Sequence, residues 1–108
     1  MDAPELGQDF GRESRARLAS LCLGRTAKLT PVARDQYKRL IAHVRCETND
    51  AARAQLASGL AWVYTRHKAD RRALQALEES ARNRHLGLWS APFPEAPWTY
   101  RQSHRSPR

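Results

Sequence analysis

The feature that most constrains this chain is a pair of short alternating runs set close together. From Arg25 to Val32, Ala27 and Leu29 alternate with Thr26, Lys28 and Thr30. From Arg39 to Cys46, Leu40, Ala42, Val44 and Cys46 alternate with Ile41, His43 and Arg45. A period of two marks a half-buried strand. Only the polar stretch Ala33 to Lys38 separates the runs, which is too short for a parallel crossover. The two strands therefore pair as an antiparallel hairpin. An isolated hairpin is marginal in water, so other elements must cover it.

Those elements read as helices. Gln8 to Leu23 places Phe10, Leu18 and Leu21 near one face, with Ser14 as a small gap, and Gly24 is a natural stop. Thr48-Asn49-Asp50 offers N-caps for a helix over Ala51 to Ser58, closed by Gly59. Leu60 to Tyr64 is a short apolar segment. Asp70 caps a third helix with a Leu74, Leu77, Ala81 stripe, a Glu78–Arg82 pair and an end at Gly87. From Ser90 the chain is Pro-rich and reads as irregular, and Arg101 to Arg108 carries only positive charge. The expectation is one α+β domain over 1–101 with a basic tail over 102–108.

A chain of 108 residues has room for one modest core. Nineteen Lys and Arg against 11 Asp and Glu give a net charge of +8, almost all of it from Arg. That balance favours polyanions such as DNA or RNA, and Arg binds phosphate in a planar, bidentate way. No apolar run is long enough to cross a membrane, so no membrane partner is expected. The acidic, polar start is unlike a secretory leader, and an upstream leader would leave localisation open. Cys22 and Cys46 show no Cys-x-x-Cys spacing; Cys22 sits among leucines as a small apolar residue, and a single disulfide is also open to the pair.

The chemistry-bearing candidates begin at Asp2 and Glu5, which flank Ala3 and Pro4. Two carboxylates on a Pro-fixed turn offer a hard-cation ligand and a general base, although one Asp plus the Ala3 carbonyl is far short of a calcium shell. Glu5 is equally a favourable charge near a helix start. Arg39, opening the second strand, is placed either to clamp a phosphate or to pair with a surface acid. The four histidines lack ligand spacing, and no serine sits in a nucleophile elbow. Trp62, Trp89 and Trp98 offer base-stacking surfaces, with Trp89 reading better as a core anchor.

Several segments occur together in order: Asp2 to Glu5, Asp35 to Arg39, Gly59-Leu60-Ala61, Val63-Tyr64, Glu78, Ala81-Arg82, Gly87 to Ser90 and Pro97 to Arg101. In this order and spacing the chain resembles the staphylococcal-nuclease-type (thermonuclease-like) domain. The resemblance implies a partial oligonucleotide-binding barrel packed by about three helices, and calcium-dependent hydrolysis of DNA and RNA. It implies Asp2 and the Ala3 carbonyl as calcium ligands. Glu5 would orient or deprotonate the attacking water, Arg39 would hold the scissile phosphate, and Tyr37 and Lys38 would contact substrate.

Two departures stand out. Lys38 occupies the place of the family's usual Gly. The family's first three strands, with a second calcium carboxylate and a second catalytic Arg, have no counterpart in this sequence. One expectation is therefore a longer reading frame in which Met1 is internal. The other is a short chain that is inactive or very weak, acting as a nucleic-acid-binding or oligomerising module through an open sheet edge.

Overall fold

A computed structural model describes residues 1–34, 37–38, 40–64 and 71–104, with only the backbone of Arg71. In chain order the elements are helix α1 (Gly11–Cys22), strands β1 (Ala27–Arg34), β2 (Leu40–Cys46) and β3 (Asn49–Asp50), then helix α2 (Ala51–Ala57). Helix α3 (Arg71–Asn83), a 3-10 turn (Gly87–Ser90) and helix α4 (Pro97–Ser103) complete the chain. Among the described residues the sheet is antiparallel in the order β1-β2-β3 and does not close into a barrel.

The expected hairpin forms, with Leu29 opposite Val44 and Ala27 opposite Cys46. Its register shifts between Pro31 and Ala33, because Pro31 has no N–H to offer a ladder. The expected half-burial of the first strand is corrected: all eight β1 residues are exposed. The alternation is real, but among the described residues no element covers that face. What ties the hairpin to the body is β2, whose Cys46 is buried and joined to Cys22 by a disulfide. The bond fastens the end of α1 to the end of β2 across 24 residues.

The core lies below the hairpin. Trp62, Ala81, Leu88 and Trp89 form one buried cluster, joined by Phe10, Leu86, Ala96 and Trp98. Leu56, Ala61 and Val63 form a second, against which Leu74 and Leu77 of the expected α3 stripe pack. Asp50 caps α2 by accepting from the Arg53 N–H at 3.0 Å, as its position after Thr48-Asn49 suggests. The candidate cap Asp70 lies outside the described residues. Gly59, at φ 73°, has no room for a side chain because its backbone meets the Leu86 carbonyl. Its own carbonyl accepts from the Leu88 N–H at 2.8 Å, docking the 3-10 turn onto the end of α2. Helix α1 is pinned through Ser14, whose hydroxyl donates to the Leu60 carbonyl at 2.8 Å. Buried Gln55 of α2 donates to the Ser14 carbonyl at 2.9 Å.

The Pro-rich end is not wholly irregular. Pro97 is buried at the first turn of α4, where a missing N–H costs nothing. The helix runs on through Gln102 and Ser103, past the composition boundary at 101, and makes a fourth α-helix where three were expected.

Candidate active site

The first five residues are built into the fold rather than left loose. The Asp2 N–H donates to the Trp62 carbonyl and the Trp62 N–H donates back to the Asp2 carbonyl, both at 2.8 Å. Trp62 belongs to the core, so the backbone carrying Asp2 is fixed by buried aromatic packing. Pro4 is buried, and Glu5 follows at the start of a tight loop. Gln8 holds that loop: its side-chain carbonyl accepts from the Glu5 N–H at 2.8 Å and its amide donates to the Glu95 carbonyl at 2.9 Å. Gly11 closes the other side, because a Cβ there would overlap the Glu5 carbonyl.

The residue that joins the two carboxylates is Arg101, on the last turn of α4. One guanidinium nitrogen donates to Glu5 Oε1 at 2.7 Å and to Asp2 Oδ1 at 3.3 Å. The other donates to Asp2 Oδ2 at 2.6 Å. The Asp2 side chain is 21% exposed, Glu5 40% and Arg101 46%. Water screens such a cluster, so its contribution to folding is on the order of 1 kcal/mol. The hydrogen bonds from Asp2, then from Glu5, raise the Arg101 pKa above its already high ordinary value, so the guanidinium stays charged. The neighbouring Met1 amino group is pushed below its ordinary value by burial, against the pull of Asp2.

Helix α4 is held so that Arg101 reaches this point. Trp98 meets Trp62 edge-on, with ring centroids 5.7 Å apart. Trp62 in turn packs on Trp89 at 4.7 Å, and the Arg82 guanidinium lies 4.0 Å over the Trp89 ring. The expected Glu78–Arg82 pair is present at 3.1 Å, and Glu78 also accepts from the Val63 N–H at 2.6 Å. Trp62 and Trp89 are thus buried core residues rather than surfaces on which bases stack.

The other candidates are placed differently. Tyr37 and Lys38 sit at the exposed end of the hairpin. Lys38 adopts φ 65°, the left-handed conformation that a Gly takes freely, and its carbonyl accepts from Arg34 at 2.9 Å. Lys38 holds this conformation at a steric cost of about 1 kcal/mol relative to a Gly. Arg39 lies outside the described residues. Ala3 is half-buried between Asp2 and Pro4.

This set does not fit a calcium ion. Calcium takes six to eight oxygens. Three of the four oxygens on Asp2 and Glu5 already accept from Arg101. Among the described residues no group of three His, Cys, Asp or Glu could hold a metal. Arg101 was visible in the sequence only as the end of the Pro97 to Arg101 segment and the start of a basic tail. The signal for its helix was Pro97, a favoured first helical residue.

A family model described as staphylococcal nuclease homologue matches residues 1–91 of this chain. The chain belongs to the staphylococcal nuclease family. Its unclosed antiparallel sheet with packed helices is a partial oligonucleotide-binding fold of that family. An Escherichia coli protein named uncharacterized endonuclease is 36% identical over 102 residues, covering 94% of this chain and 66% of that protein. The staphylococcal-like nuclease CAN1 of Arabidopsis thaliana is 32% identical over 106 residues, covering 97% of this chain and 32% of its own length. A micrococcal nuclease of Shigella flexneri is 30% identical over 116 residues, covering 98% of this chain and 67% of that protein. The chain thus spans about a third to two thirds of the curated relatives it matches. By descent it is a nuclease-family domain.

Proposed function

We propose that this chain is a nucleic-acid-binding phosphodiesterase by descent, and that its hydrolysis of DNA or RNA is weak or absent while Arg101 holds Asp2 and Glu5. The observation that carries this is the three-bond clasp of Arg101 on both carboxylates. In the role the resemblance implies, Glu5 orients or deprotonates the attacking water. A carboxylate that already accepts a short, charge-assisted bond is a poorer base and is less free to turn toward water. Arg39 is the residue that the resemblance assigns to the phosphate, and Tyr37 and Lys38 are assigned to the strand around it. The net charge of +8 supports a polyanionic partner. Calcium, the cofactor implied by the resemblance, would find Asp2 and Ala3 as its protein ligands, and these are too few.

The test is incubation of labelled single-stranded DNA with and without calcium, beside a Glu5→Gln control. Salt-sensitive binding is expected, with cleavage no greater than in the control. Calcium-dependent cleavage lost in Glu5→Gln would overturn the proposed inactivity. The exposure of all of β1 favours a second reading, a non-catalytic module that binds nucleic acid and associates with other copies.

A further inference from the structure

We propose that the outer face of α1 is a second contact surface for single-stranded nucleic acid, centred on Arg12 and Arg15. It rests on the nucleic-acid reading for the class of partner, and it adds residues to which the resemblance gives no role.

Helix α1 turns little of itself inward: of its residues only Gly11, Ser14 and Leu21 are buried. Arg12, Arg15, Ala16 and Ala19 follow the helical spacing that sets them on one outward face, and all four are exposed. With Leu6 and Gly7 of the preceding loop they line an open groove of about 730 Å³. Its walls carry two guanidinium groups and no acid; Glu13, the one acid of α1, lies outside the lining. Among the described residues Arg12 and Arg15 have no ion pair or hydrogen bond. Arg25, Arg53, Arg82 and Arg101, by contrast, are each held by a carboxylate.

The groove's chemistry selects the partner. Side chains three residues apart on a helix start about 5–6 Å from one another, and each free guanidinium can take a phosphate in the bidentate mode. The floor between them, Leu6, Ala16 and Ala19, is apolar. Unstacked bases and sugars of a single strand can lie on such a floor, whereas a duplex keeps its bases inside. Leu6 is the one bulky apolar residue in the lining, too little for insertion into a lipid surface. Gly7 also borders a smaller depression of about 210 Å³, whose charged residues are Asp9 and Glu95. A polyanion is repelled there and drawn to the arginine side. The groove begins at Leu6, next in the chain to Glu5, so a strand held in it lies close to the candidate active site. The helix is a firm support, pinned by Ser14 to the Leu60 carbonyl and by Cys22 to Cys46.

The test is fluorescence anisotropy of a labelled oligothymidylate titrated with the full chain at several salt concentrations, without added metal. Arg12→Gln/Arg15→Gln is compared with Arg17→Gln/Arg84→Gln, which removes the same charge from exposed positions outside the groove. The groove variant is expected to bind on the order of tenfold more weakly, and its slope of log K against log salt to shrink by about 1.4, the share of two single-strand phosphates. The control is expected to stay within about threefold of the native chain. Ala16→Glu, which sets a carboxylate on the groove floor and leaves both arginines in place, is expected to weaken binding to a similar extent. It decides alone if the double variant does not fold. Equal losses in the groove variant and the control would overturn the proposal and leave the nucleic-acid reading standing, as would tighter binding of the same strand paired with oligoadenylate. No binding by the native chain at low salt would sink that reading and the proposal together. Binding to phosphatidylserine vesicles that depends on Arg12 and Arg15, with none to DNA, would overturn it in favour of a membrane surface.

Discussion

Gly11 shows how much a single position contributes here. It is buried at the first turn of α1, directly against the Glu5 carbonyl. The obstructing atoms are backbone, which cannot rotate away as a side-chain end could. Gly11→Ala is therefore expected to destabilise the fold by about 2–3 kcal/mol, at the upper end for overpacking. It should also displace Glu5 from Arg101, and urea denaturation of the variant checks the stability change. At this scale the sequence was only partly legible. Asp2 and Glu5 announced themselves as paired acids, and Asp50 as a cap. Arg101 did not, because its partners lie 99 and 96 positions away and no local pattern encodes so distant an ion pair. The role of Gly11 was equally hidden, since a close backbone approach leaves no periodic trace.

At the scale of elements, periodicity and caps located α1, the hairpin, α2 and α3. They failed where neighbours decide the outcome. The alternation of β1 suggested a buried face, yet burial needs a covering layer, and among the described residues none lies over Leu29, which is 55% exposed. Helix α4 was masked by its prolines, although Pro97 opens it. The cysteines left two readings open, and only the approach of α1 to β2 chooses the disulfide. With so little packing on β1, that bond is a main fastening of the hairpin. Closing a loop of 24 residues contributes about 3–4 kcal/mol in the chain-entropy picture. The paired variant Cys22→Ala/Cys46→Ala is expected to lose about 3 kcal/mol. Its urea midpoint should be indifferent to dithiothreitol, whereas that of the native chain should fall toward it.

For the whole molecule, the radius of gyration is 14.0 Å, against about 13 Å for a compact chain of this length. The first strand of the hairpin is exposed along its whole length. Leu29, Val32 and Leu40 on that hairpin are exposed apolar residues in a chain otherwise rich in surface charge. Pro31 and the irregularity beside it blunt strand-to-strand pairing at the β1 edge. The apolar residues are then the more favourable meeting surface between copies. Concentration-dependent self-association is expected in sedimentation velocity and should weaken in Leu29→Ser. A monodisperse monomer at high concentration would refute it.

The backbone bridge between Asp2 and Trp62 has an optical consequence. Trp62 is bonded to the segment that carries one acid, and it touches Trp98 on the helix that carries the basic partner. The indole pair therefore straddles the two halves of the clasp. Its near-ultraviolet ellipticity gives the molecule a built-in reporter of whether helix α4 is seated on the segment that carries Asp2, readable without a label and without a substrate.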